Sequence, residues 1–121
     1  MSVATAKLPV LIETCKAAGA IVADRFVLGP RSGATQAGAG GVAIGVAESA
    51  AATGEYFSAM SQGVAVVEAG AAVDDGDFVQ SDAQGRAVEV SSGAILGRAR
   101  SAATAAGQKI HVVLIPVPLA P

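Results

Sequence analysis

The chain has 121 residues and a formal net charge of −2, and its length is that of a single domain. Hydrophobic residues make up 52% of it and charged residues 15%, a composition that excludes ordinary disorder. The eight basic residues are dispersed and only 3% of residues are aromatic, so no nucleic-acid partner is predicted. No apolar stretch reaches the roughly 20 residues of a spanning helix, so no membrane association is predicted either.

Apolar residues fall in short runs bounded by Gly, Pro, Asp and Ser, and this pattern predicts an all-β domain. In chain order the predicted strands are residues 9–14, 26–28, 42–47, 56–60, 64–68, 78–80, 86–90, 95–99 and 109–116. Two hairpins are expected, with turns at residues 61–63 and 81–85. Pro116 and Pro118 are predicted to end the last central strand, because proline lacks the N–H that a sheet ladder needs.

A repeated spacing divides the chain. Phe78 follows Phe26 by 52 residues, and the same spacing relates residues 44–51 to residues 96–103. A duplicated strand unit is typical of a scaffold. We therefore predict a domain over residues 9–116 with two similar halves. It is flanked by an N-terminal arm, residues 1–8, and a proline-rich C-terminal tail, residues 117–121.

The core of this domain is expected to be thin. Alanine is the commonest residue, and its burial removes little apolar area from water. A small domain of this kind gains stability by burying its remaining apolar surface against copies of itself. The isolated protomer is therefore predicted to be less stable than its assembly.

Two short motifs resemble ligand sites. Residues 38–43 match the glycine pattern of a dinucleotide loop, but they lack a strand before them and a helix after them. They are predicted to form a glycine-rich loop between strands. Asp74, Asp75 and Asp77 resemble the start of a calcium loop, but the glycine and glutamate that such a loop requires are absent. A tight turn is the prediction there.

The single histidine and the single cysteine carry no convincing chemistry. His111 is predicted to be structural or at the surface, and Cys15 to be a small buried hydrophobe. No pair of carboxylates and no nucleophile with a base stands out. The sequence therefore predicts no catalytic, metal-binding or cofactor-binding residue, and the protein is not expected to be an enzyme.

The pattern resembles the small capsid decoration proteins, or head cement proteins, of tailed phages. The resemblance rests on residues 23–28, 45–55, 75–79, 95–99 and 110–114, within residues 8–116. It implies a small β-barrel or sandwich-like (β-tulip-like) domain with extended terminal arms and no cofactor. It also implies a homotrimer, made in the host cytoplasm. The trimer would bind the major capsid protein at three-fold positions on the outside of the head and stabilise the shell.

The resemblance also suggests where contacts lie, because related head decoration proteins use an N-terminal arm. The candidate capsid or subunit contacts are Ser2, Val3, Ala4, Lys7, Leu8 and Pro9. One alternative is a β-structured adhesin, or a receptor- or glycan-binding module on a phage or bacterial surface, which predicts aromatic residues on one exposed face. A second is a small-ligand or nucleotide binder that uses residues 38–43. The available aromatic residues are expected in the core: Phe26, Tyr56, Phe57 and Phe78.

Overall fold

The computed structural model describes residues 7–119, and the side chains of residues 7–115. This part of the chain forms one antiparallel sheet of nine strands, curled into half a barrel, which confirms the predicted all-β class. The strands are β1 (Leu8–Lys16), β2 (Phe26–Leu28), β3 (Thr35–Gln36), β4 (Gly45–Ala47), β5 (Tyr56–Glu68), β6 (Phe78–Ser81), β7 (Ala87–Glu89), β8 (Ile95–Ala99) and β9 (Lys109–Leu119). Their order is β3-β2-β4-β5-β9-β8-β6-β7, and β1 pairs with β5. None of the described residues belongs to a helix long and apolar enough to cross a membrane.

The first predicted hairpin is wrong, because β5 is one continuous strand of 13 residues. Its early part pairs with β4 and its late part with β9, so it joins two regions of the sheet. Gly63 lies between these parts with a φ of +119°. A Cβ atom there would collide with the Leu8 carbonyl oxygen of β1. Glycine thus provides a bend and a close backbone approach instead of a turn.

Strand pairing repeats along the chain. We call residues 8–60 the first half and residues 61–119 the second half. Val27 pairs with Gly45 in the first half, and Val79 pairs with Gly97 in the second, an offset of 52 residues for both partners. Two isolated bridges follow the same offset: Ile21 with Ala51, and Val73 with Ala103. Residues with the same pairing in the two halves, 52 or 53 apart, are called counterparts below.

Two clusters of buried side chains form the core. The smaller one lies in the first half, and alanine fills five of its nine positions: Cys15, Ala17, Ile21, Val27, Ala34, Ala47, Ala51, Phe57 and Ala59. Counterparts of all nine lie in the larger cluster: Val67, Ala69, Val73, Val79, Ala87, Ala99, Ala103, Ile110 and Val112. The larger cluster also contains residues of the first half, so it holds the two halves together.

Several predicted boundaries need correction. The predicted strand 42–47 begins only at Gly45, and the 3-10 turn Arg31–Gly33 and the short strand β3 precede the glycine-rich segment, where no strand was predicted. β9 continues to Leu119, where it pairs with Ile95, and does not end at Pro116. The prolines are tolerated there because pairing with β5 stops at Val113, so the strand beyond has β8 as its partner. The predicted β6–β7 hairpin is confirmed.

Candidate interaction surfaces

Four side chains form a row across the first half of the sheet. Directly opposed residues of antiparallel strands share one face, so the register places Ile12, Met60, Val46 and Phe26 side by side. We call these residues the inner row. Met60, Val46 and Phe26 are at most 1% exposed. Leu96 of the second half belongs to the same buried cluster and lines a small cavity with Phe26, so the second half covers these three residues. Ile12, at the β1 end of the row, is 46% exposed.

The matching row of the second half is open to solvent. Its members are the counterparts of the inner row, and the register places Val64, Val113, Arg98 and Phe78 side by side. We call these residues the outer row. Arg98 is exposed, Phe78 is 49% exposed and the two valines are half-buried. Leu8 pairs with Val64 and extends the row onto β1.

β1 carries a second exposed apolar surface. Leu8, Val10, Leu11 and Ile12 are 65%, 74%, 40% and 46% exposed. Among the strands that the structure describes, β1 pairs with β5 alone, so the start of its other edge presents free N–H and C=O groups. At its end the Lys16 carbonyl accepts a hydrogen bond from the Ala34 N–H at 2.8 Å. Pro9 and two register shifts interrupt the ladder near the start of the strand. An edge of this kind accepts a strand from a partner through main-chain hydrogen bonds.

The predicted contact residues fall at the start of this strand or before it. Lys7 is exposed, and its Nζ donates a 2.7 Å hydrogen bond to Oε2 of Glu48. Leu8 and Pro9 are exposed at the first two positions of β1. The other predicted contacts lie outside the described residues: Ser2, Val3 and Ala4. Whether any of the six contacts a capsid or a second subunit stays a prediction.

The far end of β1 borders an open depression. We call it the basic depression, and its lining residues are Thr14, Lys16, Arg31, Ser32 and Tyr56. Tyr56 is 70% exposed, and the Lys16 ammonium lies 6.0 Å from the centre of its ring. That distance is at the limit of a cation–π contact. The guanidinium of Arg31 is also exposed, and its Nε lies 3.8 Å from the Glu13 carboxylate. The depression is therefore polar, positively charged and bordered by one aromatic ring.

A turn at Asp24 and Arg25, which we call the junction turn, ties the first half to the second. The Glu68 N–H donates to the Asp24 carbonyl at 2.8 Å, and Lys109 Nζ lies 3.1 Å from Asp24 Oδ2. Arg25 Nη2 lies 3.4 Å from both carboxylate oxygens of Glu68. Arg25 Nη1 donates to the Gln84 carbonyl at 3.4 Å. Backbone and charge complementarity thus both hold this turn.

The glycine-rich segment 38–43 lies between β3 and β4, away from any strand–loop–helix arrangement in the described chain. The Gly40 carbonyl accepts a hydrogen bond from the Ala94 N–H at 3.1 Å. A Cβ atom on Gly40 would lie 2.9 Å from the Gly93 Cα. The glycines therefore permit close packing of the two halves, as small residues do where backbones approach. The segment forms a contact between the halves.

The acidic segment forms the predicted tight turn before β6. The Asp77 N–H donates to the Asp74 carbonyl, and Asp77 Oδ2 accepts from the Asp74 N–H at 3.0 Å. Gly76 supplies a positive φ of +97°. Within residues 7–119 no three His, Cys, Asp or Glu side chains converge on a point that suits a metal ion.

Both single-copy residues are buried. Cys15 is 1% exposed, as predicted, and burial raises the pKa of its thiol, with the Glu13 carboxylate adding to the effect. His111 is 5% exposed, and its backbone N–H donates to Ser101 Oγ at 2.9 Å. The ring nitrogen Nε2 of His111 finds no hydrogen-bond partner among the described residues. Within the part of the chain that the structure describes, neither residue has the neighbours of a catalytic centre.

The aromatic side chains separate into two groups. Phe26 and Phe57 are buried as expected, at 1% and 4% exposure. The prediction that Tyr56 and Phe78 lie in the core is wrong. Sequence pattern missed them because alternation along a strand shows which residues share a face, and not which face is covered.

Two comparisons with known proteins found a match, one to a family and one to a solved structure. A family model described as phage cement protein matches residues 6–114. Among solved structures, the head fiber gp8.5 N base of bacteriophage phi29 superposes with a TM-score of 0.74 at 20% identity. That match covers 90% of this chain and 97% of the phage protein, and at such identity it shows the fold alone. No curated protein sequence matches.

Proposed function

We propose a function from the premise that this chain belongs to the phage cement protein family, a family of structural, non-enzymatic virion proteins. Membership makes it a capsid-associated structural protein. We infer that it is a decoration protein on the outer surface of a phage head. It binds the major capsid protein as a homotrimer at three-fold positions and stabilises the shell.

The observation that carries the proposal is the exposed apolar start of β1. Leu8, Val10, Leu11 and Ile12 are large hydrophobic side chains on a strand with one free edge. Natural proteins avoid such edges unless a partner covers them. The predicted contact residues Lys7, Leu8 and Pro9 lie at the same place, next to the segment 1–6. A capsid surface that adds a strand and buries these side chains suits the site.

Addition to expanded heads tests the capsid part of the proposal. Wild-type protein should bind heads that lack it and raise their rupture temperature. Val10→Lys should weaken binding by about tenfold or more, because the proposed contact buries this side chain and the variant places a charge there. Val22→Lys is the matched control, since Val22 is also an exposed valine, at 41%, but lies outside β1.

Two results would contradict this assignment. One is wild-type protein that fails to bind expanded heads. The other is equal weakening by Val10→Lys and Val22→Lys, which would remove β1 from the contact. Light scattering coupled to gel filtration tests the trimer separately, and a strict monomer at micromolar concentration would count against it.

One observation favours the alternative of a glycan-binding module. Tyr56 is an exposed aromatic ring beside the polar side chains Thr14 and Ser32, which is a common arrangement for sugar stacking. A thermal-shift screen with glycans distinguishes the alternatives. A shift that disappears in Tyr56→Ala supports the glycan-binding function, and the absence of any shift leaves the decoration function favoured.

A further inference from the structure

The junction turn has a counterpart on the outside of the second half. In the junction turn the Asp24 N–H donates to the Ala47 carbonyl at 2.8 Å, and the Gly76 N–H donates to the Ala99 carbonyl at the same distance. Asp24 and Gly76 both have a positive φ, +63° and +97°. Residues 74–77, which we call the outer turn, therefore reproduce the backbone of the junction turn on an exposed surface.

The residues that receive the junction turn have counterparts as well. Glu68 pairs with Lys109 in the second half as Lys16 pairs with Tyr56 in the first. Lys16 and Tyr56 both line the basic depression. Gln84, which accepts from Arg25, and the depression residue Ser32 occupy matching turns. Each is followed by a glycine, Gly85 or Gly33, whose N–H donates to the carbonyl three residues earlier. The basic depression is thus the first-half equivalent of the surface that holds the junction turn.

The charges at these two places are reversed together. Inside the chain, Arg25 of the junction turn faces the carboxylate of Glu68. The counterpart of Arg25 is Asp77, and the counterpart of Glu68 is Lys16. The acidic outer turn is therefore complementary in charge to the basic depression, as Arg25 is to Glu68, but with the two signs exchanged. The described part of the chain shows no ion pair for Asp77 or Lys16, so neither charge is neutralised within the copy, although Asp77 Oδ2 accepts the Asp74 N–H.

We propose that the outer turn of one copy docks in the basic depression of a second copy. The partner is this same chain, because the depression and the turn carry the two sides of a contact that the chain already makes internally. Phe78 follows the outer turn directly and belongs to the outer row. Docking of the turn therefore brings the outer row against the second copy. The inference deepens the trimer of the proposed function and rests on it. Each copy uses two different surfaces, so the contact is head-to-tail, and in the proposed trimer three such contacts close a ring.

Charge reversal tests the contact in the full-length protein. Lys16→Glu and Asp77→Lys should each weaken self-association by about tenfold, because each places like charges in contact. The double variant should recover it, since the pair is then opposite again. Glu89→Lys and Arg100→Glu are the controls, because they make the same charge changes at other exposed positions. Asp77 caps its own turn, so Asp75→Lys is added to reverse a neighbouring charge of the outer turn with the cap intact.

Disulfide trapping gives a second readout. Lys16→Cys combined with Asp77→Cys, in a Cys15→Ser background, should form covalently closed or laddered multimers under mild oxidation. Each single-cysteine variant should not form multimers beyond a dimer, because head-to-tail docking juxtaposes the two different positions. Circular dichroism and a cooperative melt establish that every variant is folded.

The inference is overturned if self-association is unchanged in both Lys16→Glu and Asp75→Lys and if the pair of introduced cysteines forms no cross-linked multimers. A wild-type protein that stays monomeric at high micromolar concentration also overturns it. Binding to heads is measured separately. Trapped multimers that do not bind heads would contradict the decoration function and leave the head-to-tail contact standing.

Discussion

The inner row and the outer row occupy matching places in the sheet and differ in what covers them. Phe26 is 1% exposed, whereas its counterpart Phe78 is 49% exposed. Val46, in the inner row, is replaced by the charged and exposed Arg98 in the outer row. The same strand pairing thus supports a core in one half and a surface in the other. The comparison shows that the packing of the second half on the first, and not the local strand, decides burial.

The opposite face of the sheet shows no such difference. Every buried residue of the smaller cluster has a counterpart that is buried in the larger cluster, such as Cys15 and Val67 or Phe57 and Ile110. That face is buried in both halves, and in the second half its residues share a cluster with Phe26, Val46 and Met60 of the inner row. The two halves therefore differ mainly on one face, and substitutions on that face test the comparison most directly.

Exchanging Val46 of the inner row and Arg98 of the outer row should give the largest difference in the free energy of unfolding. Val46→Arg buries a guanidinium that has no partner, which should lower the free energy of unfolding by about 4 kcal/mol or more. The reverse exchange, Arg98→Val, should change it by less than about 0.5 kcal/mol because the site is exposed. Urea unfolding of dilute protein measures both, and a stable Val46→Arg protein would show that the inner row is not covered.

Truncating the two counterpart phenylalanines should give the next largest difference. Phe26→Ala leaves a cavity between the halves and should cost about 3–4 kcal/mol. Phe78→Ala should cost less than about 1 kcal/mol in the dissociated protomer, since the ring is half exposed. Denaturant titrations at low protein concentration give both values. Equal losses would mean that the outer row is as buried as the inner row.

The bend in β5 joins the two halves, and Gly63→Ala should weaken it. The substitution combines a positive φ with a collision against β1, and should cost about 2–3 kcal/mol. Gly54→Ala is the control, because Gly54 also has a positive φ, +90°, but a Cβ there meets nothing. That control should lose only about 1 kcal/mol. Hydrogen exchange should rise in β1 for Gly63→Ala alone.

Neutralising the counterpart charges Glu68 and Lys16 should give the smallest difference in the free energy of unfolding of an isolated protomer. Glu68→Gln weakens the contact with Arg25 and the neighbouring Lys109, and should cost about 1–2 kcal/mol. Lys16→Gln should cost less than about 0.5 kcal/mol, because the side chain is exposed and unpaired among the described residues. Unfolding in low and high salt checks the pair, and only the Glu68→Gln effect should shrink with salt.

Much of the fold follows from short-range pattern. The bounds of β2 and β8 match the prediction, because clear turn residues stand on both sides of each apolar run. The β6–β7 hairpin also follows from its turn residues. The prediction failed at Gly63, where a glycine between two apolar runs has the same pattern whether the chain turns or bends. It also failed at β3, whose two residues carry no apolar signal of their own.

The interaction surfaces were much harder to predict. The sequence pointed to Leu8 and Pro9 through a resemblance, but it gave no reason to expect Tyr56 and Phe78 at the surface. It indicated the two depression residues Lys16 and Arg31 only as dispersed charges. Their meeting with Tyr56 depends on the pairing of β1 with β5 and on the 3-10 turn beside it. Such contacts join residues up to 40 positions apart, which local pattern does not encode.

The sequence by itself determined that the chain is all-β, where β2 and β8 begin and end, and that a spacing of 52 residues relates two parts of it. These follow from backbone preference and local alternation, which each strand carries alone. Only the tertiary structure decided that Phe26 is core and Phe78 is surface. The physical reason is that apolar burial depends on which face another layer covers, and two similar strands take opposite roles when only one is covered.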